Sequence, residues 1–357
     1  MKMVKKRKNP MKMVGRFFIP LLLLSVTACG QQSSAPANTN SQQPETPAAN
    51  APAPAPEEKK LTIGIAQFVE HPALDAAREG FIAQMAKNGY EQDKQVVFDH
   101  KSAQASMDTA ISIAQKFETD KVDLILAIAT PTAQAAVQTS KEIPIVFTAV
   151  TDPVEAGLVK SMEKPEGNVT GTSDMNPVEE QLKLIKEINP NAASVGIIYS
   201  SGEVNSKVQV DAAKAVADKV GLTIREAAVS SATEVKQAAE SMIGKVDAFY
   251  VPTDNLVVSS IAAVLSVGED QKIPVIAGEE NSVKSGAIAT YGIDYTKLGA
   301  QTADMATKIL KGEAKPGDMP VEMQAEMKLV INKKAAEKMG VTLPQSMLDR
   351  AGEVFEQ

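Results

Sequence analysis

Hydrophobic positions along the chain switch repeatedly between two periods. Leu61-Thr62-Ile63-Gly64-Ile65-Ala66 is a short β-rich run. Residues 72–88 then place Leu74, Ala77, Phe81 and Met85 three or four apart, the spacing of one helix face, with Gly89 as a stop. Val96-Val97-Phe98, Leu124-Ile125-Leu126-Ala127-Ile128 and Ile143-Pro144-Ile145-Val146-Phe147 read as further strands, separated by helical stretches such as residues 107–118. Strands apolar throughout, alternating with helices, predict an α/β protein whose parallel sheet is covered on both faces.

The pattern also repeats. Val122-Asp123-Leu124-Ile125-Leu126-Ala127 returns 124 residues later as Val246-Asp247-Ala248-Phe249-Tyr250-Val251. Lys141-Glu142-Ile143-Pro144-Ile145 returns after 130 as Gln271-Lys272-Ile273-Pro274-Val275, and Ile63-Gly64-Ile65 after 132 as Val195-Gly196-Ile197. Three matched strands in one order, at nearly one interval, predict two similar doubly wound lobes rather than a solenoid, whose repeats are far shorter. Ligands of such sheets bind beyond the carboxyl ends of the strands, here in a cleft between the lobes.

The residues at those ends are therefore the candidate site. In the first lobe they are Gln67 and Phe68, Thr130-Pro131-Thr132, residues 148–152, and Ser173-Asp174. In the second they are Ser201 and Asn205, Thr253-Asp254-Asn255, Glu279 and Asp294. Thr130 followed by Pro131 reads as a helix cap and first turn, which leaves backbone N–H groups free to meet a carboxylate or phosphate.

Composition narrows the chemistry. One Cys and two His in 357 residues exclude a disulfide framework and leave no zinc or iron site of soft or imidazole ligands, so no metal or cofactor is assigned. There is no G-x-x-x-x-G-K-[ST] loop for a nucleotide and no G-x-S-x-G elbow, and His71 beside Glu70 opens a helix rather than forming a catalytic pair. No catalytic residue is assigned. Met323 and Met327 read as a core stripe and Tyr250 as a core residue.

The N-terminus is a separate matter. Seven Lys and Arg residues precede the short apolar run of residues 17–24, which Pro20 interrupts, and this is the layout of an export signal over residues 1–28. Val26-Thr27-Ala28-Cys29 resembles a bacterial lipobox, which makes the chain's one Cys, Cys29, the expected lipid attachment site. Residues 29–58, rich in Ala, Pro, Gln and Ser, lack the apolar side chains needed to offset ordering and read as a disordered tether, reaching up to about 80 Å at roughly 3 Å per residue. Removal of the leader leaves 30 basic against 44 acidic residues, a balance that repels a phosphate backbone and excludes nucleic acid as a partner. The expected location is the extracytoplasmic face of the cell membrane, held by lipid.

Several runs then resemble one family. Residues 63–81, with Gln67-Phe68-Val69-Glu70-His71-Pro72, the Thr130-Pro131-Thr132-Ala133 loop, Val150-Thr151-Asp152-Pro153-Val154, Pro252-Thr253-Asp254-Asn255 and Gly278-Glu279-Glu280-Asn281, are similar to those of the solute-binding lipoproteins of ABC importers, most nearly the tryptophan and tyrosine binding group of Gram-positive bacteria. The resemblance spans residues 61–340. It implies a periplasmic-binding fold of type I with three interlobe crossings, giving a first lobe of residues 59–174 with a return near 295–328 and a second of 175–294 with 329–351. It also implies delivery of an amino acid, aromatic in the nearest group, to a permease driven by an ATPase. A zwitterion needs donors at one end and an acid at the other. Thr130, Thr132 and nearby N–H groups are expected to hold the carboxylate with help from Ser201 and Asn205, Asp254 to accept the ammonium ahead of Asp174, Glu279 and Asp294, and Phe68 to offer an aromatic platform. Two other readings stay open: a ligand-sensing lipoprotein, and a binding protein for a nucleoside or sugar.

Overall fold

The computed structural model describes residues 60–324 and 326–356. The leader, Cys29 and the tether lie outside the described residues. The first sheet contains β1 (Leu61–Gln67), β2 (Val96–Ser102), β3 (Leu124–Ile128), β4 (Ile145–Val150) and β5 (Val169–Ser173), and the second β6 (Ser194–Ser200), β7 (Thr223–Val229), β8 (Ala248–Val251), β9 (Val275–Ala277) and β10 (Ala289–Gly292). Of the last strands, β11 (Glu322–Met323) joins the first sheet, while β12 (Lys328–Asn332) and β13 (Glu353–Phe355) extend the second. The orders are β11-β5-β4-β3-β1-β2 and β13-β12-β10-β9-β8-β6-β7, parallel except where β10 meets β12.

The two sheets match residue for residue where the sequence repeats. Ile63 pairs with Leu124 across β1 and β3, and Val195 with Ala248 across β6 and β8. Ile125 pairs with Ile145, and Phe249 with Val275. Even the strand entries agree, since Asp123 Oδ2 accepts from Thr62 N and Asp247 Oδ2 from Ser194 N. Strand β4 begins at Ile145 and not Ile143, because Pro144 has no N–H for a ladder; its carbonyl accepts from Ile125 N, as that of Pro274 does from Phe249 N.

Among the described residues twelve α-helices cover the sheets: α1 (Pro72–Lys87), α2 (Met107–Asp120), α3 (Thr130–Thr139), α4 (Val178–Ile188), α5 (Val204–Val220), α6 (Val235–Ser241), α7 (Asn255–Ser259), α8 (Ile261–Gln271), α9 (Glu280–Ser285), α10 (Tyr295–Leu310), α11 (Lys333–Lys338) and α12 (Gln345–Asp349). The chain leaves the first sheet after β5 and returns after β10 as α10, whose Leu298, Ala303, Met305 and Ala306 sit in the first core. It crosses again between β11 and β12. Helix α10 lies close against α1 because Gly299 and Gly80 have no side chain; a Cβ on Gly299 would fall 1.9 Å from Ala77 O. Met323 and Met327 form no stripe. Met323, on a two-residue edge strand, is 46% exposed, whereas Met327 is half-buried against the first core.

Candidate ligand site

Strand order reverses between β1 and β3 in the first sheet and between β6 and β8 in the second, so each lobe opens a crevice between the helices that follow those strands. The first crevice lies between the starts of α1 and α3, the second between those of α5 and α7. A small cavity lies between them, lined by the start of α1 on one side and the starts of α5 and α7 on the other, with room for about one water.

The first-lobe wall supplies donors and apolar surface. Ala73, Leu74 and Ala149 line the cavity with His71, the capping residue of α1. Burial holds the His71 imidazole down to about 4, against the smaller opposing pulls of Asn255 and Asp75, so it is neutral near pH 7. Its Nε2 is buried and makes no hydrogen bond among the described residues. Thr130 is not the cap expected of it. It is the first residue of α3, and Ala129 occupies the cap position at φ 83° and ψ 155°, a region natural to glycine, with no side chain capping the helix. Such a backbone costs of order 1–3 kcal/mol and persists at sites that use it. Thr130 Oγ1 is also buried and unpartnered among the described residues. Thr132 differs: its hydroxyl donates to Ile128 O (2.6 Å) and Ala129 O (2.9 Å), within its own turn.

The second-lobe wall supplies acceptors. Asp254 caps α7 by accepting from Val257 N (2.8 Å) and also accepts from Ser200 N (2.5 Å). Glu203, which precedes α5, accepts from Asn255 N, Leu256 N and the side-chain amides of Asn205 and Asn255. Burial pushes both carboxyls up, and for Glu203 the nearby Asp254 adds to it. Asn205 gives its NH₂ group to Glu203, Ser206 and Thr253 O, which leaves its buried Oδ1 unpartnered among the described residues. Thr253 lines the cavity while its hydroxyl accepts from Gln209 Nε2 at 2.7 Å. Glu279 caps α9 by accepting from Asn281 N (2.5 Å) and Ser282 N (2.6 Å), and burial pushes it up to about 7.

The crossings close the ends. Asp174 follows β5 and accepts from Tyr295 OH (2.6 Å) and Thr151 Oγ1 (3.0 Å); Tyr295 opens α10 and lines the cavity beside it. Ser173 donates to Thr151 O at 2.8 Å and does not line the cavity.

Seven of the residues named from sequence therefore stand elsewhere. Gln67 braces α1, donating to Val69 O and Asp75 and accepting from Arg78 at 2.7 Å. Phe68 and Ser201 line a separate groove between the lobes, with Pro131 and Leu256. Asp294 caps α10, accepting from Lys297 N at 3.2 Å. Thr130, Thr132 and Ser173 do not line the cavity. Asp174, Asn205, Thr253, Asp254, Asn255 and Glu279 all do. His71, Tyr295 and Glu203 were not assigned a ligand role from sequence. His71 carried a signal, its place straight after β1 before a helix-opening proline.

Among the lining residues there are three buried carboxyl groups and no Lys or Arg. Buried charges require partners, so this hole is complementary to a cation.

A family model for ABC transporter substrate binding proteins matches residues 62–355. A tyrosine-binding protein of Clostridioides difficile (strain R20291) is 47% identical over 307 residues, 86% of this chain and 86% of that protein. The crystal structure of an ABC domain of Streptococcus pneumonia in complex with L-Trp is 40% identical, covers 83% of this chain and all of its own, and superposes with a TM-score of 0.80. The ligand-free, open structure of a substrate-binding protein with adhesive properties from Clostridium difficile is more similar in sequence, at 47% over the same shares, yet its TM-score is 0.63. The lobes here thus stand nearer the ligand-bound arrangement. Contacts agree: Val204 of the second lobe packs on the first core, and Ala105 packs on both.

Proposed function

The chain belongs to the ABC transporter substrate-binding protein family, and we propose that it captures an aromatic amino acid between its closing lobes and hands it to a membrane permease. The observation that carries this is the opposition of the two crevices. One presents the neutral His71 imidazole at the start of α1; the other has Asp254 and the Glu203-held amides, with Asp174 and Glu279 alongside. A zwitterion presents its carboxylate to the first and its ammonium to the second. Ala73, Leu74, Ala149, Val258 and the Tyr295 ring surround the remainder with apolar surface. The tyrosine-binding relative and the L-Trp complex support an aromatic side chain.

Sugar hydroxyls also donate to carboxylates, so it is the tyrosine-binding relative and the L-Trp complex that favour an amino acid over a sugar or nucleoside. The chain acts by binding, and no reaction is assigned to it. Cys29 anchors it by lipid on the extracytoplasmic face, where the ATPase-driven permease receives the ligand. A thermal-shift screen of amino acids, nucleosides and sugars tests the reading. Tyrosine, tryptophan or phenylalanine at about 100 times its Kd is expected to stabilise the protein by about 2.7 kcal/mol; stabilisation by a sugar or nucleoside and by none of these amino acids would overturn it.

A further inference from the structure

We infer that His71 is a ligand-binding residue, whose neutral imidazole donates its Nε2–H to the carboxylate of the bound amino acid. The inference rests on the amino-acid reading above and adds to it the group that recognises the α-carboxylate.

The argument begins with the cap. His71 Nδ1 accepts from Leu74 N (3.5 Å) at the start of α1. A ring nitrogen that accepts carries no proton, so in the neutral ring the proton is on Nε2. With Nδ1 turned to its own helix, Nε2 is the edge left for the cavity that His71 lines. That atom is buried, and His71 as a residue is only 7% exposed. No acceptor meets it in hydrogen-bond geometry among the described residues; the Asn255 side chain, which pulls the ring's pKa up, is a polar neighbour and gives its NH₂ group to Glu203. A buried donor left unpaired costs free energy unless a ligand meets it.

Charge points the same way. The start of a sixteen-residue helix carries partial positive charge, and Pro72 at its first position removes one N–H that would otherwise need a partner. Asp75 in the first turn is tied to Gln67 and Arg78, so its carboxylate does not occupy this end. None of the lining carboxyls Asp174, Asp254 and Glu279, each held by hydroxyls or N–H groups of its own, stands within hydrogen-bond distance of His71 Nε2. The ligand carboxylate is the acceptor it lacks.

The chain has only two histidines, His71 and His100, so ¹⁵N-histidine labelling gives a direct readout. The wild-type protein at pH 7 is expected to show His71 protonated on Nε2, with that N–H resonance moving downfield as L-tyrosine or L-tryptophan saturates the site and His100 unmoved. An unmoved His71 resonance at saturation, or protonation on Nδ1, would overturn the inference. His71→Leu is expected to lose about 10- to 100-fold in affinity for L-tryptophan and little for tryptamine, which has no carboxylate, while His71→Gln, which keeps a donor at the same reach, recovers most of the loss. Equal losses for both ligands in a folded His71→Leu protein would mean that the residue only packs. If wild-type protein binds no aromatic amino acid at all, the functional reading has failed; if it binds them and His71 does not respond, only this assignment has.

Discussion

Tyr295 donates its hydroxyl hydrogen to Asp174 Oδ2 across 2.6 Å, joining two residues 121 apart in sequence. Each stands on a different crossing between the sheets, so the bond ties the first crossing to the second at the floor of the cavity. Both groups are buried, and burial raises Asp174 while its two hydroxyl partners pull it back. Tyr295→Phe keeps the ring and removes one partner of a buried acid. It should cost about 1.5–3 kcal/mol and lower the calorimetric Tm by several degrees; an unchanged Tm would mean that Asp174 is held without it.

Asp254 is the acid placed best for the ligand's ammonium. Ser200 N and Val257 N donate to it at short range, and the Ser206 side chain and Leu256 N stand close by, so its carboxylate is held fixed at the cavity wall. Asn caps a helix about as well as Asp, so Asp254→Asn should fold. Its affinity for tyrosine, tryptophan and phenylalanine should fall by about 2–5 kcal/mol, some thirtyfold to several thousandfold. Undiminished binding in calorimetry would move the role to Asp174 or Glu279.

The pH dependence has a definite sign. Glu279 is raised from 4.5 to about 7, so across that window the folded protein keeps a proton the unfolded chain has lost, and stability falls as pH rises. Glu203 and Asp254 act in the same direction. His71 is lowered from 6.5 to about 4, which makes stability rise with pH over that window and oppose the acids there. Above 6.5 the acids act alone. The ligand-free Tm should therefore fall from pH 6.5 to about 8, and Glu279→Gln should flatten the fall. A Tm that rises over this range would contradict the assignment.

Cys29→Ser should abolish incorporation of labelled fatty acid and release the protein into the medium. Labelling that persists in the variant would place the anchor elsewhere.

The repeat made the two lobes legible because a strand buried on both faces must be apolar throughout, and two such strands at one interval leave few other folds. Leu124 to Ala248 and Ile145 to Val275 kept even their register. The carboxyl ends followed from topology, which is why Asp174, Asn205, Thr253, Asp254, Asn255 and Glu279 line one cavity. Direction was not legible. Thr132 turns back on its own helix, and Asp294 faces a helix end, choices made by local hydrogen bonds that a residue type does not reveal. Tyr295 was missed because its partner is remote in the chain. His71 was weighed only as a base, although burial makes it a poor one and leaves it a donor.

The central claim is that one cavity reads both ends of an aromatic amino acid from opposite lobes. Calorimetric titration of the wild-type protein with L-tryptophan, tryptamine and indole-3-propionate tests it directly, since the last two lack the carboxylate and the ammonium in turn. The account predicts saturable binding of L-tryptophan or L-tyrosine, and affinity at least about tenfold weaker for each truncated ligand against L-tryptophan. Binding of tryptamine or indole-3-propionate as tight as that of L-tryptophan would contradict it.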